Sequence, residues 1–128
     1  MNIAGIGTEI VECLRIRRMI EEHGELFLLR AYTAAEIRFC HSRRHATEHF
    51  ASRWAAKEAI LKSFGVTKGR GAAWTDIEME IDDSGNPKAN IRGGLRDIMA
   101  SRGIVDVMVS MSFCRAYATA TAIALRKP

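Results

Sequence analysis

The N-terminal two dozen residues change from an apolar run to a helical repeat. Residues 3–9 are apolar until their last two positions and contain Gly5 and Gly7, which predicts a short buried strand whose backbone comes close to another part of the chain. Residues 10–22 repeat apolar side chains at i, i+3 and i+4 with charged residues between them, which predicts an amphipathic helix. We expect Gly24 to end this helix.

Two further helices have recognisable ends. Thr33 and Glu36 have the spacing of a capping box, in which each side chain satisfies a backbone amide of the first turn, so a short helix is predicted from Thr33 to about Cys40. The strongest helical pattern covers residues 46–64, where an apolar stripe runs among several alanines. Gly65 supplies its C-terminal stop.

The remaining chain is dominated by two-residue alternation, which is typical of strands with one wet face. The alternation predicts the strands 74–81, 104–112 and 117–125. Residues 88–91 are predicted to return as a short strand after the turn cluster over 83–87, and residues 93–102 are predicted to form a helix. Alanine occupies every second position from 116 to 124, so one face of the last strand would let another element approach closely.

Composition excludes several classes of protein. A chain of 128 residues with 48% hydrophobic residues predicts a single domain over 1–128. No apolar run reaches the roughly 20 residues of a membrane span, and the N-terminus does not have the pattern of a signal peptide, so we expect a cytoplasmic protein without a membrane partner. The three cysteines, Cys13, Cys40 and Cys114, have neither disulfide-framework nor zinc-ligand spacing.

The positive charge is spread evenly along the chain. The net charge of +4 divides into +2 for residues 1–64 (10 basic, 8 acidic) and +2 for residues 65–128 (9 basic, 7 acidic). Proteins dedicated to nucleic acid usually gather basic residues on one stripe, so no nucleic-acid partner is expected. The surplus favours acidic or phosphorylated partners weakly.

Candidate chemistry lies on the helix predicted over 46–64. Glu58 and Lys62 are four residues apart and could form an ordinary surface ion pair contributing about 0.3–0.5 kcal/mol. Alternatively, Glu58 could pair with Glu9, the carboxylate beside the glycine segment, because two carboxylates together with phosphate oxygens are a common way to hold Mg²⁺. Basic residues that could contact phosphate are Arg43, Arg44, Arg53, Lys57 and Lys62.

Other catalytic motifs are missing from the sequence. The glycine-rich loop over 65–71 does not match a P-loop. His41, His45 and His49 are spaced four residues apart but have no His-Glu-x-x-His motif, so they are interpreted as helical surface residues.

The order of motifs resembles one family, the holo-acyl-carrier-protein synthases, which are small bacterial 4′-phosphopantetheinyl transferases. Residues 50–62, FASRWAAKEAILK, are similar to the family signature Arg-[Phe/Trp]-Ala-Ala-Lys-Glu-Ala-x-x-Lys. Residues 3–12, IAGIGTEIVE, resemble its opening Gly-Ile-Gly-x-Asp motif. Further similar segments follow in the family's order at 27–36, 74–78, 85–87, 109–112 and 117–120.

The resemblance implies an α+β fold in which an antiparallel sheet packs with a long helix, assembled as a homotrimer with each active site between subunits. It implies Mg²⁺-dependent transfer of 4′-phosphopantetheine from coenzyme A to a serine of an apo acyl carrier protein, in fatty acid biosynthesis. The other product is adenosine 3′,5′-bisphosphate.

The resemblance also implies roles for individual residues. Glu9 and Glu58 would hold Mg²⁺, Glu58 could also accept the serine proton, and Lys62 would contact the pyrophosphate. Coenzyme A would bind at Arg44, Arg53, Lys57, Lys62, Gly65 and Ser112, with Arg53 and Arg44 on the 3′-phosphate. Arg15 and Arg18 would attract the acidic carrier protein.

The sequence departs from the family pattern in three motifs. Glu9 replaces the usual aspartate, Val66 and Thr67 follow Gly65 where Gly-Thr-Gly is usual, and Phe113 replaces a histidine. These departures leave an alternative open, a non-catalytic relative that binds coenzyme A or a carrier protein.

Overall fold

A computed structural model describes residues 1–67 and 69–128; Lys68, in the predicted glycine-rich loop, lies outside them. The helices are α1 (Cys13–His23), α2 (Glu25–Ala31), α3 (Ala34–His41), α4 (Ala46–Phe64) and α5 (Gly93–Ser101). The strands are β1 (Asn2–Glu12), β2 (Ile77–Ile81), β3 (Pro87–Ile91), β4 (Ile104–Phe113) and β5 (Tyr117–Arg126). This order confirms the α+β class.

The main sheet is antiparallel, with the strand order β1-β5-β4, and α4 packs across one of its faces. Two glycines on β1 make a close contact between this strand and α4 possible. A Cβ atom on Gly5 would overlap the carbonyl oxygen of Ser63, and one on Gly7 would overlap that of Ala59. The prediction that this glycine segment approaches another element closely is therefore confirmed, and the element is α4.

The alanine face of β5 packs on the same helix. Ala118, Ala120, Ala122 and Ala124 are all buried, and β5 lies in contact with α4. Their small side chains let the sheet and the helix approach closely, which confirms the sequence interpretation. The helix contributes Ala51, Ala55 and Ala59 among its fully buried residues, so small side chains line both sides of the contact.

The first helix begins later than the sequence pattern predicted. β1 stays paired with β5 as far as Glu12, which lies opposite Tyr117, and the amide of Cys13 donates to the carbonyl of Ala116 at 2.9 Å. Residues 10–12 therefore belong to the strand, because ladder hydrogen bonds outweigh the local helical spacing. The pattern also missed α2, whose Phe27 and Leu28 are buried.

The second sheet is a hairpin of β2 and β3. The predicted strand over 74–81 is wrong at its start, because Trp74–Asp76 form a turn of 3₁₀-helix. The carboxylate of Asp76 accepts from the amides of Ala73 at 3.1 Å and Leu95 at 3.2 Å, which holds this turn against the start of α5. The capping box of Thr33 and Glu36 at the start of α3 is confirmed.

The face of the main sheet that points away from α4 carries exposed apolar side chains. Ile6 and Ile10 on β1 are each 65% exposed, and Met108 on β4 is 58% exposed. Ile6 and Met108 are both registered with Ile123 on β5, so they form a row across three strands. We call this surface, which comprises Ile6, Ile10, Met108, Ile123 and the side chains between them, the outer sheet face. Within residues 1–67 and 69–128, no helix combines the length and apolarity that a bilayer crossing requires.

Candidate functional site

Lys62 and Glu9 form an ion pair between the long helix and the first strand. The Lys62 Nζ donates to Glu9 Oε1 at 2.6 Å and to the carbonyl of Thr8 at 3.0 Å. The close packing at Gly7 makes this possible, since a Cβ there would lie 2.8 Å from the Cβ of Lys62. The lysine side chain is 55% exposed, so the pair can be reached from solvent.

Glu58 lies one helical turn before Lys62 and therefore shares its face of α4. The structure thus groups Glu9, Glu58 and Lys62 at the edge of the main sheet that β1 forms. Glu58 is half-buried, whereas Lys62 is exposed.

The group of Glu9, Glu58 and Lys62 suits Mg²⁺ only when a bound phosphate contributes further oxygen ligands. The described part of the chain contains no set of three or more His, Cys, Asp or Glu side chains positioned for a metal ion. Two carboxylates are nevertheless enough where phosphate oxygens and water complete the shell of Mg²⁺. The lysine beside Glu9 would face the same phosphate oxygens.

Lys57 lies elsewhere, on the buried side of α4. Its Nζ donates to Glu36 Oε1 at 2.7 Å and to the carbonyls of Ala31 at 2.8 Å and Trp74 at 3.1 Å. Burial lowers the pKa of Lys57, and the carboxylate of Glu36 opposes that shift. All three ammonium donors are used and the side chain is fully buried, so this geometry argues against the predicted contact with coenzyme A.

Arg53 belongs to a third environment at the N-terminal half of α4. Its Cζ lies 4.5 Å from the centre of the Phe39 ring, and the Cζ of Arg43 lies at the same distance from that ring. Arg53 is buried, and its Nε is a buried donor with no partner among the described residues. Arg44, the other predicted 3′-phosphate ligand, is exposed.

Burial lowers the pKa of two residues in this third environment. Desolvation lowers the pKa of Arg53 and that of His49, which lies one helical turn earlier on the same face of α4. The ring of His49 lies 5.0 Å from that of Phe113, at the end of β4. Ser112 precedes Phe113 and is exposed. The structure therefore brings Arg53 and the segment of Ser112 to the edge of the main sheet formed by β4.

Gly65 ends α4 as predicted, in the left-handed conformation with φ of 71°. Arg102 holds this terminus, because its Nη1 donates to the carbonyls of Phe64 and, at 2.9 Å, Gly65. A guanidinium there is favourable because the C-terminal end of a helix carries partial negative charge. Beside Gly65 lies a groove of about 500 Å³ that includes Lys62, Arg102 and Arg126 in its lining.

The predicted carrier-binding arginines lie on the exposed side of α1. Arg15 stacks over Trp54, with 5.3 Å between its Cζ and the ring centre. It also lines a cavity of about 300 Å³ whose apolar residues include Met19 and Leu26. Arg18 is exposed on the same helix. A cationic rim beside an apolar depression suits an acidic, amphipathic partner.

Sequence reasoning missed two kinds of residue. Glu36 was identified only as a capping residue, and Arg102 not at all, because their partners are distant in sequence. His49 was interpreted as a surface residue, although its ring contacts those of Phe39 and Phe113. Only its position four residues before Arg53 could have indicated a contact between them.

Comparison with known proteins gives consistent results. The 4′-phosphopantetheinyl transferase superfamily matches residues 5–122. A holo-[acyl-carrier-protein] synthase of Rhodopirellula baltica is 44% identical over 120 residues, which cover 94% of this chain and 95% of the relative.

Solved structures of the same kind have a similar backbone. The crystal structure of holo-[acyl-carrier-protein] synthase from Neisseria meningitidis has a TM-score of 0.90 and 30% identity, and the match covers 98% of this chain and 100% of that one. A holo-(acyl-carrier-protein) synthase from Bacillus anthracis, in complex with CoA (3′,5′-ADP), has a TM-score of 0.81 and 29% identity, with 98% of each chain covered.

Proposed function

This chain belongs to the 4′-phosphopantetheinyl transferase superfamily, and we propose that it is a holo-[acyl-carrier-protein] synthase. It transfers 4′-phosphopantetheine from coenzyme A to a serine of an apo acyl carrier protein. The observation that carries the proposal is the grouping of Glu9, Glu58 and Lys62 at one accessible edge, in a chain 44% identical to such a synthase.

Glu9 and Glu58 are the residues that would hold Mg²⁺. When bound, the ion supplies positive charge to the pyrophosphate and to the developing leaving group. Lys62 stabilises charge on the pyrophosphate from the same side, since its ammonium already lies at 2.6 Å from Glu9. Glu58 accepts the proton of the attacking serine, directly or through water, as the P–O bond to the leaving group breaks.

Coenzyme A would contact two regions, the group of Glu9, Glu58 and Lys62 and the surroundings of Arg53, which lie toward opposite edges of the main sheet. Gly65 and the basic groove beside it lie next to Lys62 and suit the pyrophosphate end of the ligand. Arg53 binds the 3′-phosphate, supported by its buried Nε, which has no acceptor in the described chain. Arg44, which follows Arg43, and Ser112, which precedes Phe113, are both exposed and are the further residues proposed for this ligand. Lys57 takes a structural role in place of a ligand contact, because its ammonium is saturated.

The carrier protein docks on α1. Arg15 and Arg18 are exposed and provide the positive charge that attracts an acidic partner. Since both arginines are solvated, this attraction weakens as salt shortens the Debye length.

The group of Glu9, Glu58 and Lys62 is separated from the residues around Arg53 and Ser112. A homotrimer with sites between subunits explains this separation. Glu9 lies on β1 and Ser112 on β4, and these strands form opposite edges of the sheet with β5 between them. A neighbouring copy could bring one edge to the other. The outer sheet face, with Ile6, Ile10 and Met108 exposed, offers the apolar surface for such an assembly.

The whole of 1–128 acts as one domain in this proposal. A single cluster of buried apolar residues includes members of both the helices and the strands, from Val11 to Ala124. The reaction would supply holo carrier protein to fatty acid biosynthesis in the cytoplasm.

The transfer can be tested by intact-protein mass spectrometry. Apo acyl carrier protein is incubated with this protein, coenzyme A and Mg²⁺, and we expect a gain of one phosphopantetheine that chelation abolishes. Glu58→Ala should lower the rate at least about a hundredfold, because it removes a metal ligand and the base. Glu80→Ala, a substitution of an exposed glutamate on β2, is the matched control and should retain full activity.

Two results would overturn the proposal. One is the absence of any mass gain with several carriers while coenzyme A still binds. The other is a normal rate for Glu58→Ala, which would remove this residue from the site while leaving the family assignment intact.

A further inference from the structure

Arg43 and Arg53 form a positive cluster around one phenyl ring. Each guanidinium carbon lies 4.5 Å from the centre of Phe39. In residues 1–67 and 69–128, the ion pairs within 4.0 Å involve neither arginine. Cation–π contacts attract each guanidinium to the ring, but they do not neutralise its charge. Neither guanidinium therefore has a carboxylate within ion-pair distance in this part of the chain, and an anion could pair with both.

His49 lies beside this cluster and is held by rings on two sides. Its ring centre lies 5.6 Å from that of Phe39 on α3 and 5.0 Å from that of Phe113 on β4, both in edge-to-face arrangements. Two aromatic neighbours from different elements fix the plane of the imidazole. The ring therefore has a defined orientation although the residue is only half-buried.

The hydrogen-bonding state of the imidazole follows from its neighbour. His49 Nδ1 lies 3.4 Å from Arg53 Nη1. A guanidinium can only donate, so Nδ1 accepts and the ring proton of the neutral imidazole resides on Nε2. Desolvation, then Arg53 and Arg43, lower the pKa of His49, while Glu48 opposes them and His45 adds to them. The imidazole is therefore neutral at pH 7, with Nε2–H as its donor.

This donor has no acceptor among residues 1–67 and 69–128. Nε2 makes no hydrogen bond in the described part of the chain, and it is not one of the buried nitrogens there that lack a partner, so it faces solvent. Arg53 Nε is a second N–H without an acceptor, in the side chain that contacts His49. His49 and Arg53, whose side chains contact each other, thus each carry one N–H without an acceptor in the described part of the chain.

We propose that His49 is a ligand-binding residue whose Nε2–H donates to the 3′-phosphate of coenzyme A, alongside Arg53 and Arg43. The identity of the ligand rests on the proposed function. A phosphate monoester fits because its three terminal oxygens can each accept from a different side chain, and its two negative charges match two guanidiniums. The first turn of α4, which begins at Ala46, adds the partial positive charge of a helix N-terminus.

The proposal is tested with a pair of ligands and a pair of variants. Calorimetry measures the Kd of coenzyme A and of dephospho-coenzyme A, which lacks only the 3′-phosphate. His49→Phe keeps a ring between Phe39 and Phe113 but removes both nitrogens. His49→Gln keeps a side-chain N–H donor near the position of Nε2. Thermal unfolding of each variant confirms that the fold is retained.

We expect His49→Phe to weaken coenzyme A about tenfold to a hundredfold, the usual range for a hydrogen bond to a charged group, and His49→Gln to recover at least half of the logarithmic loss. Neither variant should change the affinity for dephospho-coenzyme A more than twofold. Equal losses for both ligands, or no loss for coenzyme A, would overturn the proposal.

The same experiment separates this inference from the proposed function. A wild-type protein that transfers phosphopantetheine while His49→Phe binds coenzyme A normally contradicts only the role of His49. A wild-type protein that transfers nothing contradicts the proposed function. If the wild type binds the two ligands equally, no 3′-phosphate subsite exists, and the roles of both Arg53 and His49 are overturned.

Discussion

At the residue scale, the contact between Lys62 and Glu9 in the proposed site depends on Gly7, a residue without a side chain. Gly7 lies against α4, where a Cβ would overlap the carbonyl oxygen of Ala59 and lie 2.8 Å from the Cβ of Lys62. The strand and the helix therefore approach closely enough for the 2.6 Å contact between Lys62 and Glu9. A side chain at this position would push the two elements apart.

Gly7→Ala should destabilise the fold by about 1–3 kcal/mol, the usual cost of overpacking, because the obstruction is backbone that cannot rotate away. Urea unfolding measures this change. Thr8→Ala is the control, since Thr8 is exposed on the opposite face of β1, and it should cost much less. Equal midpoints for the two variants would contradict the close packing described for Gly7.

At the element scale, one buried ion pair joins five parts of the chain. Glu36 on α3 binds Lys57 on α4 at 2.7 Å and accepts from the amide of Met79 on β2 at 2.7 Å. The same lysine binds the last residue of α2, Ala31, and the 3₁₀ turn at Trp74. Lys57 directly precedes Glu58, so this network also fixes the register of the helix turn that carries the proposed base.

Glu36→Gln should destabilise the protein by about 3–5 kcal/mol, because it leaves the buried ammonium of Lys57 without a countercharge. Adding Lys57→Met to this variant should restore part of the loss, since the buried charge is then removed. Thermal unfolding measures both variants.

The matched control is an exposed ion pair of the same chain. Arg17 and Glu21 are 3.9 Å apart with side chains 64% and 65% exposed, so Glu21→Gln should cost less than about 1 kcal/mol. If Glu36→Gln cost no more than this control, the buried pair would not hold the elements together as described.

At the scale of the whole molecule, the sheet has two unequal faces. One is buried against α4, whereas the outer sheet face exposes Ile6, Ile10 and Met108. The proposed metal ligands and the 3′-phosphate subsite occupy opposite edges of that sheet. Assembly through the outer sheet face would cover the apolar side chains and bring edges of different subunits together.

Met108→Lys should therefore shift a trimer toward monomers, because assembly would bury an ammonium without a partner. Light scattering coupled to size-exclusion chromatography measures the mass. Leu29→Lys, at a 62% exposed position on α2, is the control for adding a charge away from the sheet, and it should leave the mass unchanged. A trimer that persists in Met108→Lys would argue against the outer sheet face as the interface.

Much of the fold was predictable because its signals are local. The capping box at Thr33, the stop at Gly65 and the alanine alternation of β5 each act through neighbours in sequence, and all three are confirmed. The start of α1 was predicted wrongly, because pairing of β1 with β5 extends to Glu12 and overrides the helical spacing. The candidate site was predictable only in part. The spacing of Glu58 and Lys62 shows that they share one face of the helix, but it does not show which element that face contacts.

The sequence by itself determined the family motifs, most of the elements and the types of charged group available to the site. Only the tertiary structure decided which of these charges are accessible. Lys57 and Lys62 lie on the same helix, yet Lys57 forms a buried ion pair with Glu36, whereas Lys62 is exposed and forms an ion pair with Glu9. The reason is physical: the helical period sets the directions of side chains, whereas desolvation and pairing depend on elements that are distant in sequence.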